Sequence, residues 1–279
     1  MKKCLTAMVL GLLLCATGAL AEQKLLITEV LDPGQVEGAA RLEFAHSQID
    51  FSAGAESGKV KSNVRESHYS LGVGLIERLE VNASIPYLLS EKEKEELDGG
   101  PSVSDERDGF GDLTLGAKYR VFDEEEKPFS LAVGLDIKFD TASQGEGGTG
   151  TTEISPYVAV SRKHGEYLIP YVSYRATIAN HGESDEHALS LGVEAEMTES
   201  ITLDAVVSGS YHTAGDEVKS YESYGLEVAA YFGIGENLYL IPSVGVERNT
   251  KVDGKGEASE VSFDAANTYR GGLTLYFLY

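Results

Sequence analysis

The chain has 279 residues with 45 Asp and Glu against 23 Lys and Arg, a formal net charge of −22, and it contains 31 Gly, 15 Tyr, 7 Pro and no Trp. A hydrophobic fraction of 42% is that of an ordinary folded protein and excludes disordered, collagen-like and disulfide-stapled classes. The sign of the charge disfavours a nucleic-acid partner, and past the N-terminus no apolar run reaches the roughly 18 residues of a membrane-spanning helix.

Residues 1–21 read as a secretory signal peptide. Lys2 and Lys3 form the charged start, CLTAMVLGLLLCATG the apolar stretch, and Ala19-Leu20-Ala21 the small–x–small site, so cleavage is expected after Ala21. A lipoprotein signal centred on Cys15 is the competing reading, but Leu14 stands where a small residue is wanted. Cys4 and Cys15 leave with the signal, so the mature chain has no disulfide, thiolate nucleophile or cysteine metal site. Its formal charge becomes −24, because Lys2 and Lys3 are lost and no acidic residue goes with them. Residues 22–36 are expected to form a short periplasmic segment ahead of a single domain over 37–279.

From there the chain repeats a pattern rather than a sequence. Segments alternating apolar with polar or small residues at period two predict strands near 37–51, 59–75, 79–90, 109–122, 128–140, 152–163, 166–179, 187–197, 201–213, 221–233, 237–249 and 265–279. The clearest is DLTLGAKYRVF, with Leu113, Leu115, Ala117, Tyr119 and Val121 on one face and Asp112, Thr114, Gly116, Lys118 and Arg120 on the other. The spacers alternate in length. IER, DEEEKP, HGE, TES and GIGEN are short, whereas SEKEKEELDGGPSVSDERD, TASQGEGGTGT, NHGESDEH, TAGDEVKS and TKVDGKGEASEVSFDA are mostly longer and richer in Gly and charge.

A soluble twelve-stranded barrel or sandwich would put the apolar face inside, and a membrane barrel would put it outside. Periodicity alone does not choose. The export signal, the alternating spacers and the Gly, Ser and Thr on the polar face favour an all-β antiparallel transmembrane β-barrel of about 12 strands, with both termini periplasmic. The ending GGLTLYFLY then has a reason: Tyr269, Gly271, Leu273, Leu275, Phe277 and Tyr279 share the lipid-facing parity, and the terminal aromatic anchors in the interfacial girdle.

At residues 72–89, GVGLIERLEVNASIPYLL, and 109–141, GFGDLTLGAKYRVFDEEEKPFSLAVGLDIKFDT, the chain resembles the outer-membrane family named for the MetA pathway of phenol degradation. The matching elements are a strand, a tight turn at Glu77-Arg78, a return strand ending at Pro86-Tyr87, and Gly111-Asp112-Leu113 leading into Lys118-Tyr119-Arg120. The resemblance implies an outer-membrane transporter or channel, often for hydrophobic or aromatic compounds. Barrels that end as this one does imply that the barrel-assembly machinery reads the last strand. Where the family often has Pro-Thr-Gly, this chain has Asp140-Thr141-Ala142.

Strand parity places a mixed set of charges in the interior: Arg41, Lys61, Arg65, Lys118, Arg120, Lys138, Arg175 and Arg270 among the bases, and Glu43, Glu80, Asp112, Asp136, Glu194, Glu196, Asp204, Glu227 and Glu247 among the acids. Facing acidic and basic side chains would set the selectivity of a narrow aqueous pathway for a small polar or zwitterionic solute; alternatively they pair and close the lumen. Lys118, Arg120, Asp136 and Lys138, on adjacent strands, are expected to form one lumenal ladder. Glu91, Glu93, Glu95, Glu96 and Asp98 crowd a spacer expected to be an acidic loop, attracting cations or holding divalent ions shared with lipopolysaccharide.

Enzymatic readings have little support. The pair His181 and His187 falls on an expected loop, and His212 beside Ser208 and Ser210 is the one arrangement that resembles a hydrolase constellation. No phosphate loop, dinucleotide fingerprint or cofactor-attachment motif is present. The sequence therefore points to an outer-membrane channel for passive uptake of small solutes, with no cofactor and no catalytic cycle. The competing reading is a structural or surface-adhesive barrel with a salt-bridged closed lumen and acidic loops that bind.

Overall fold

The computed structural model describes residues 27–279 apart from 55, 101, 143–146, 181, 199, 235–236 and 256–260. The expected signal peptide, its cleavage site and His181 lie outside the described residues. Strands within them are β1 (Val36–Ala53), β2 (Glu56–Ile76), β3 (Leu79–Leu97), β4 (Ser102–Phe110), β5 (Thr114–Phe122), β6 (Ser130–Lys138), β7 (Glu153–Ser161), β8 (Leu168–Ala179), β9 (Glu186–Thr198), β10 (Ile201–His212), β11 (Tyr221–Gly233), β12 (Leu238–Asn249), β13 (Val252–Asp253), β14 (Val261–Phe263) and β15 (Ala266–Leu278).

Among the described residues, twelve strands close into an antiparallel barrel in the order β1-β15-β12-β11-β10-β9-β8-β7-β6-β5-β3-β2, and β2 returns to β1. The seam between the first and last strands runs from Glu37 opposite Leu278 to Gln48 opposite Asn267. Reciprocal backbone bonds of 2.7 Å between Val36 and Tyr279 lock its end. Tyr279 is thus fixed in the wall, and closure leaves the twelve-strand barrel no free edge.

The apolar face points outward. Leu115, Tyr119, Val133, Leu135, Leu189, Leu191, Leu226, Leu273 and Phe277 are exposed, while Glu80, Lys118, Glu194 and Asp204 on the opposite faces are buried. This inversion is the mark of a barrel solvated by lipid. All five short spacers lie at one end of the barrel, here called the turn end, and the long ones lie at the other, the loop end.

At the turn end, Arg78 takes φ 70° in the tight β2–β3 turn, and its guanidinium pairs with Glu126 of the β5–β6 turn. The loop end is more ordered than the sequence suggests. The acidic stretch after Ser90 is no loop: β3 continues through it to Leu97 and pairs with β4, so the expected strand over 109–122 is split between β4 and β5. In the last long spacer, β13 and β14 pair with each other, and β14 pairs with β1. Ile49, Phe51, Val60, Tyr221, Val252 and Phe263 form a small apolar core there. Asp112 is buried and accepts backbone bonds from Thr141, Ala142 and Thr149, which fasten the β6–β7 connection over the loop end.

Candidate functional site

Inside the barrel, register rather than sequence neighbourhood decides which charges meet. Lys118 on β5 lies opposite Glu80 on β3 and pairs with it at 3.4 Å, with only 7% and 2% of the two side chains exposed. Asp136 on β6 pairs with Arg175 on β8, whose guanidinium lies 4.6 Å from the Tyr157 ring centre between them. Lys138 pairs with Glu153 of β7. The expected ladder of Lys118, Arg120, Asp136 and Lys138 does not form. Three of the four take partners of their own, and the buried Nε of Arg120 has no hydrogen-bond acceptor.

A second network crosses the seam. Arg41 on β1 contacts Glu43 at 2.6 Å and reaches Glu227 on β11 at 3.6 Å, past the two intervening strands. Arg270 on β15 bonds Glu247 on β12 at 3.1 Å and approaches Glu43 at 3.8 Å. These side chains converge on the lumen because cross-strand residues of one parity share a face. Lys61 and Arg65 are corrections: both belong to the outer parity of β2, opposite Gln48 and Phe44, and Lys61 pairs with Glu96 of the loop-end hairpin. The expected interior position overlooked that Ser62, Val64 and Glu66 carry the inward parity of β2.

Glu194 on β9 and Asp204 on β10 sit directly opposite one another near the turn end, 4% and 3% exposed. The Tyr171 hydroxyl donates to both Asp204 oxygens, at 3.1 and 3.3 Å. Like charges across one ladder position repel, and among the described residues neither carboxylate has a basic partner.

Residues 27–35, expected ahead of the barrel, turn back into it. Thr28 is buried and its hydroxyl lies 2.6 Å from that of Ser161 on β7. The Leu31 amide donates to Glu80 at 3.1 Å, and the Gly34 amide to the Gly74 carbonyl at 2.8 Å. Gly74 permits the crossing, because a Cβ there would overlap the Leu31 and Asp32 carbonyls. Towards the seam remains a small polar cavity, open to solvent and lined by Arg41, Asn82, Glu227, Ser243, Tyr231 and Tyr276 among others. In it the Arg41 Nε and the Asn82 Oδ1 are buried without hydrogen-bond partners. Parity reasoning passed over Glu37, Asn82, Glu153 and Glu186. The same alternation would have found them, whereas the insertion of residues 27–35 has no periodic signal.

The hydrolase-like arrangement does not assemble into a relay. Ser210 Oγ lies 3.0 Å from His212 Nε2, and Glu186 approaches the same nitrogen at 3.9 Å, so acid and nucleophile compete for one side of the ring. A relay needs them on opposite nitrogens. The ring instead stacks on Tyr221 at 4.2 Å. His187, expected on a loop, lies on β9 and bonds the Tyr174 hydroxyl at 2.8 Å. No group of three metal-ligating side chains occurs among the described residues.

The family model described as "Putative MetA-pathway of phenol degradation" matches residues 64–263. No curated protein sequence matches the chain. Among solved structures, the COG4313 outer membrane channel from Pseudomonas putida F1 is similar with a TM-score of 0.65 at 14% identity, over 92% of this chain and 100% of that one. Weaker likenesses are to the CymD monoaromatic hydrocarbon channel, with a TM-score of 0.48 at 9% identity over 89% of each chain, and to the outer membrane protease OmpT of Escherichia coli, with 0.43 at 11% identity over 90% of this chain and 100% of that one. The likeness to the COG4313 channel supports the outer-membrane barrel fold.

Proposed function

Since the chain belongs to the MetA-pathway of phenol degradation family, we propose that it acts as an outer-membrane channel for passive uptake of small solutes, exported by a cleaved signal peptide and oriented with its turn end in the periplasm. The observation that carries this reading is a lumen walled by charge inside an apolar exterior. Lumenal acids outnumber bases: Glu37, Glu43, Glu80, Asp136, Glu153, Glu186, Glu194, Asp204, Glu227 and Glu247 face Arg41, Lys118, Arg120, Lys138, Arg175 and Arg270. An excess of that sign concentrates cations and raises their flux over that of anions. The family resemblance favours hydrophobic or aromatic compounds; the charged wall favours small polar or cationic ones, and we propose the latter. The C-terminal strand is the handle for the barrel-assembly machinery, and the loop-end hairpin faces lipopolysaccharide.

The second reading, a structural or adhesive barrel with a closed lumen, is favoured by the inserted residues 27–35 and by the pairing of most lumenal bases. Single-channel recording of the refolded protein in a planar bilayer, under a KCl gradient, separates the two. Discrete openings with a reversal potential of cationic sign are expected. A folded but silent barrel would reject the channel and move the search to the loop end.

A further inference from the structure

We propose that Glu194 and Asp204 form a binding station for a monovalent cation, either an alkali ion or the ammonium head of a small solute, near the turn end of the lumen. This rests on the channel reading and names the chemistry its pathway selects. The two carboxylates oppose each other across the β9–β10 ladder, which brings their Cβ atoms to roughly 5 Å. Tyr171 satisfies Asp204 and holds it in place. Glu194 is left over: it is 96% buried, since 4% of it is exposed, and among the described residues it accepts no hydrogen bond and has no basic partner.

The charges that act on Glu194 are Asp204, Glu196 and Glu29 of the inserted segment, all acidic. Lys163, which reaches the neighbouring inward position of β9, is taken by Glu196 at 3.1 Å. On the other side Asp204 faces Glu227, again an acid. Elsewhere in the lumen, Glu80, Asp136, Glu153, Glu43 and Glu247 each have a lysine or arginine. Two carboxylates largely withdrawn from water, with no counter-charge among the described residues, are costly unless something positive joins them. The absence of a third ligating carboxylate among the described residues, and the tyrosine walls Tyr171 and Tyr231, suit a singly charged ion better than a divalent one.

The test compares wild type with Glu194→Gln, Asp204→Asn and the double variant in planar bilayers at neutral pH, under gradients first of KCl and then of ethylammonium chloride. The potassium-to-chloride permeability ratio is expected to fall by about threefold or more in the double variant. Glu125→Gln, in the exposed β5–β6 turn, serves as the control and leaves it unchanged. A parallel fall for ethylammonium assigns the site to ammonium heads as well; a fall for potassium alone assigns it to alkali ions. An unchanged ratio in the double variant means that a proton already holds the pair, and overturns the proposal. If wild type is silent, the channel reading fails separately, and thermal unfolding in detergent tests the site alone. Replacing tetrabutylammonium chloride by KCl at constant ionic strength should raise the Tm of wild type and not of the double variant. Equal shifts in both overturn the proposal.

Discussion

Tyr157 and Tyr171 show how single residues shape the lumen. Each lies across the ladder from a glycine, Gly134 and Gly192, and the ring covers the bare backbone so closely that a Cβ on either glycine would overlap it. Flattened on the wall, Tyr157 supports the Arg175 guanidinium and Tyr171 reaches Asp204. Gly134→Ala and Gly192→Ala are therefore expected to destabilise the barrel by about 1–3 kcal/mol, the cost of overpacking. Gly271→Ala, outward-facing with open space around it, should cost little. Urea unfolding in detergent checks all three. At this scale the alternation in DLTLGAKYRVF foretold the face of Lys118 correctly. It could not foretell its partner: Lys118 meets Glu80 because β3 and β5 pair in one particular register, and register is a long-range choice.

The β3–β4 hairpin carries the lesson at the scale of elements. Its run of Glu and Lys has poor strand propensity and no apolar alternation, so it read as a loop. It is a strand because β3 has a template on each side. Arg107 pairs with Glu91 at 2.6 Å, and Lys61 and Lys94 bond Glu96 at 2.9 and 2.7 Å, holding its carboxyl down at about 2. One position is strained: Glu93 stands directly opposite Asp105. Burial, with repulsion from Glu91, Asp105 and Glu95, pushes the Glu93 carboxyl up to about 7. The folded hairpin thus holds this proton more tightly than the unfolded chain does. The associated stability is fully present below the ordinary carboxylate range of about 4.5 and is lost as pH rises through about 7. Amide exchange along β4, corrected for intrinsic rates, should quicken between about pH 4.5 and pH 7 and level off above that in wild type, and not in Glu93→Gln. Loss of the pH effect only in an Asp105→Asn variant would assign it to the wrong carboxyl.

At the scale of the molecule, the barrel and the segment inside it set what passes. Residues 27–35 lean on β2, β3 and β7, so the remaining space lies against the seam, beside Arg41 and Glu227. A variant lacking residues 27–35 is expected to fold, because the seam from Val36 to Tyr279 stays intact, and to conduct more than the full chain. Equal conductance would mean that the constriction is the wall itself. The sequence by itself determined the twelve strands of the barrel wall, their antiparallel order and the division into short turns and long connections, because period-two alternation and turn chemistry are local properties of the chain. Only the tertiary structure decided which charges pair and where residues 27–35 rest. Those depend on closure, register and the packing of segments far apart in sequence, and the chain carries no local mark of any of them.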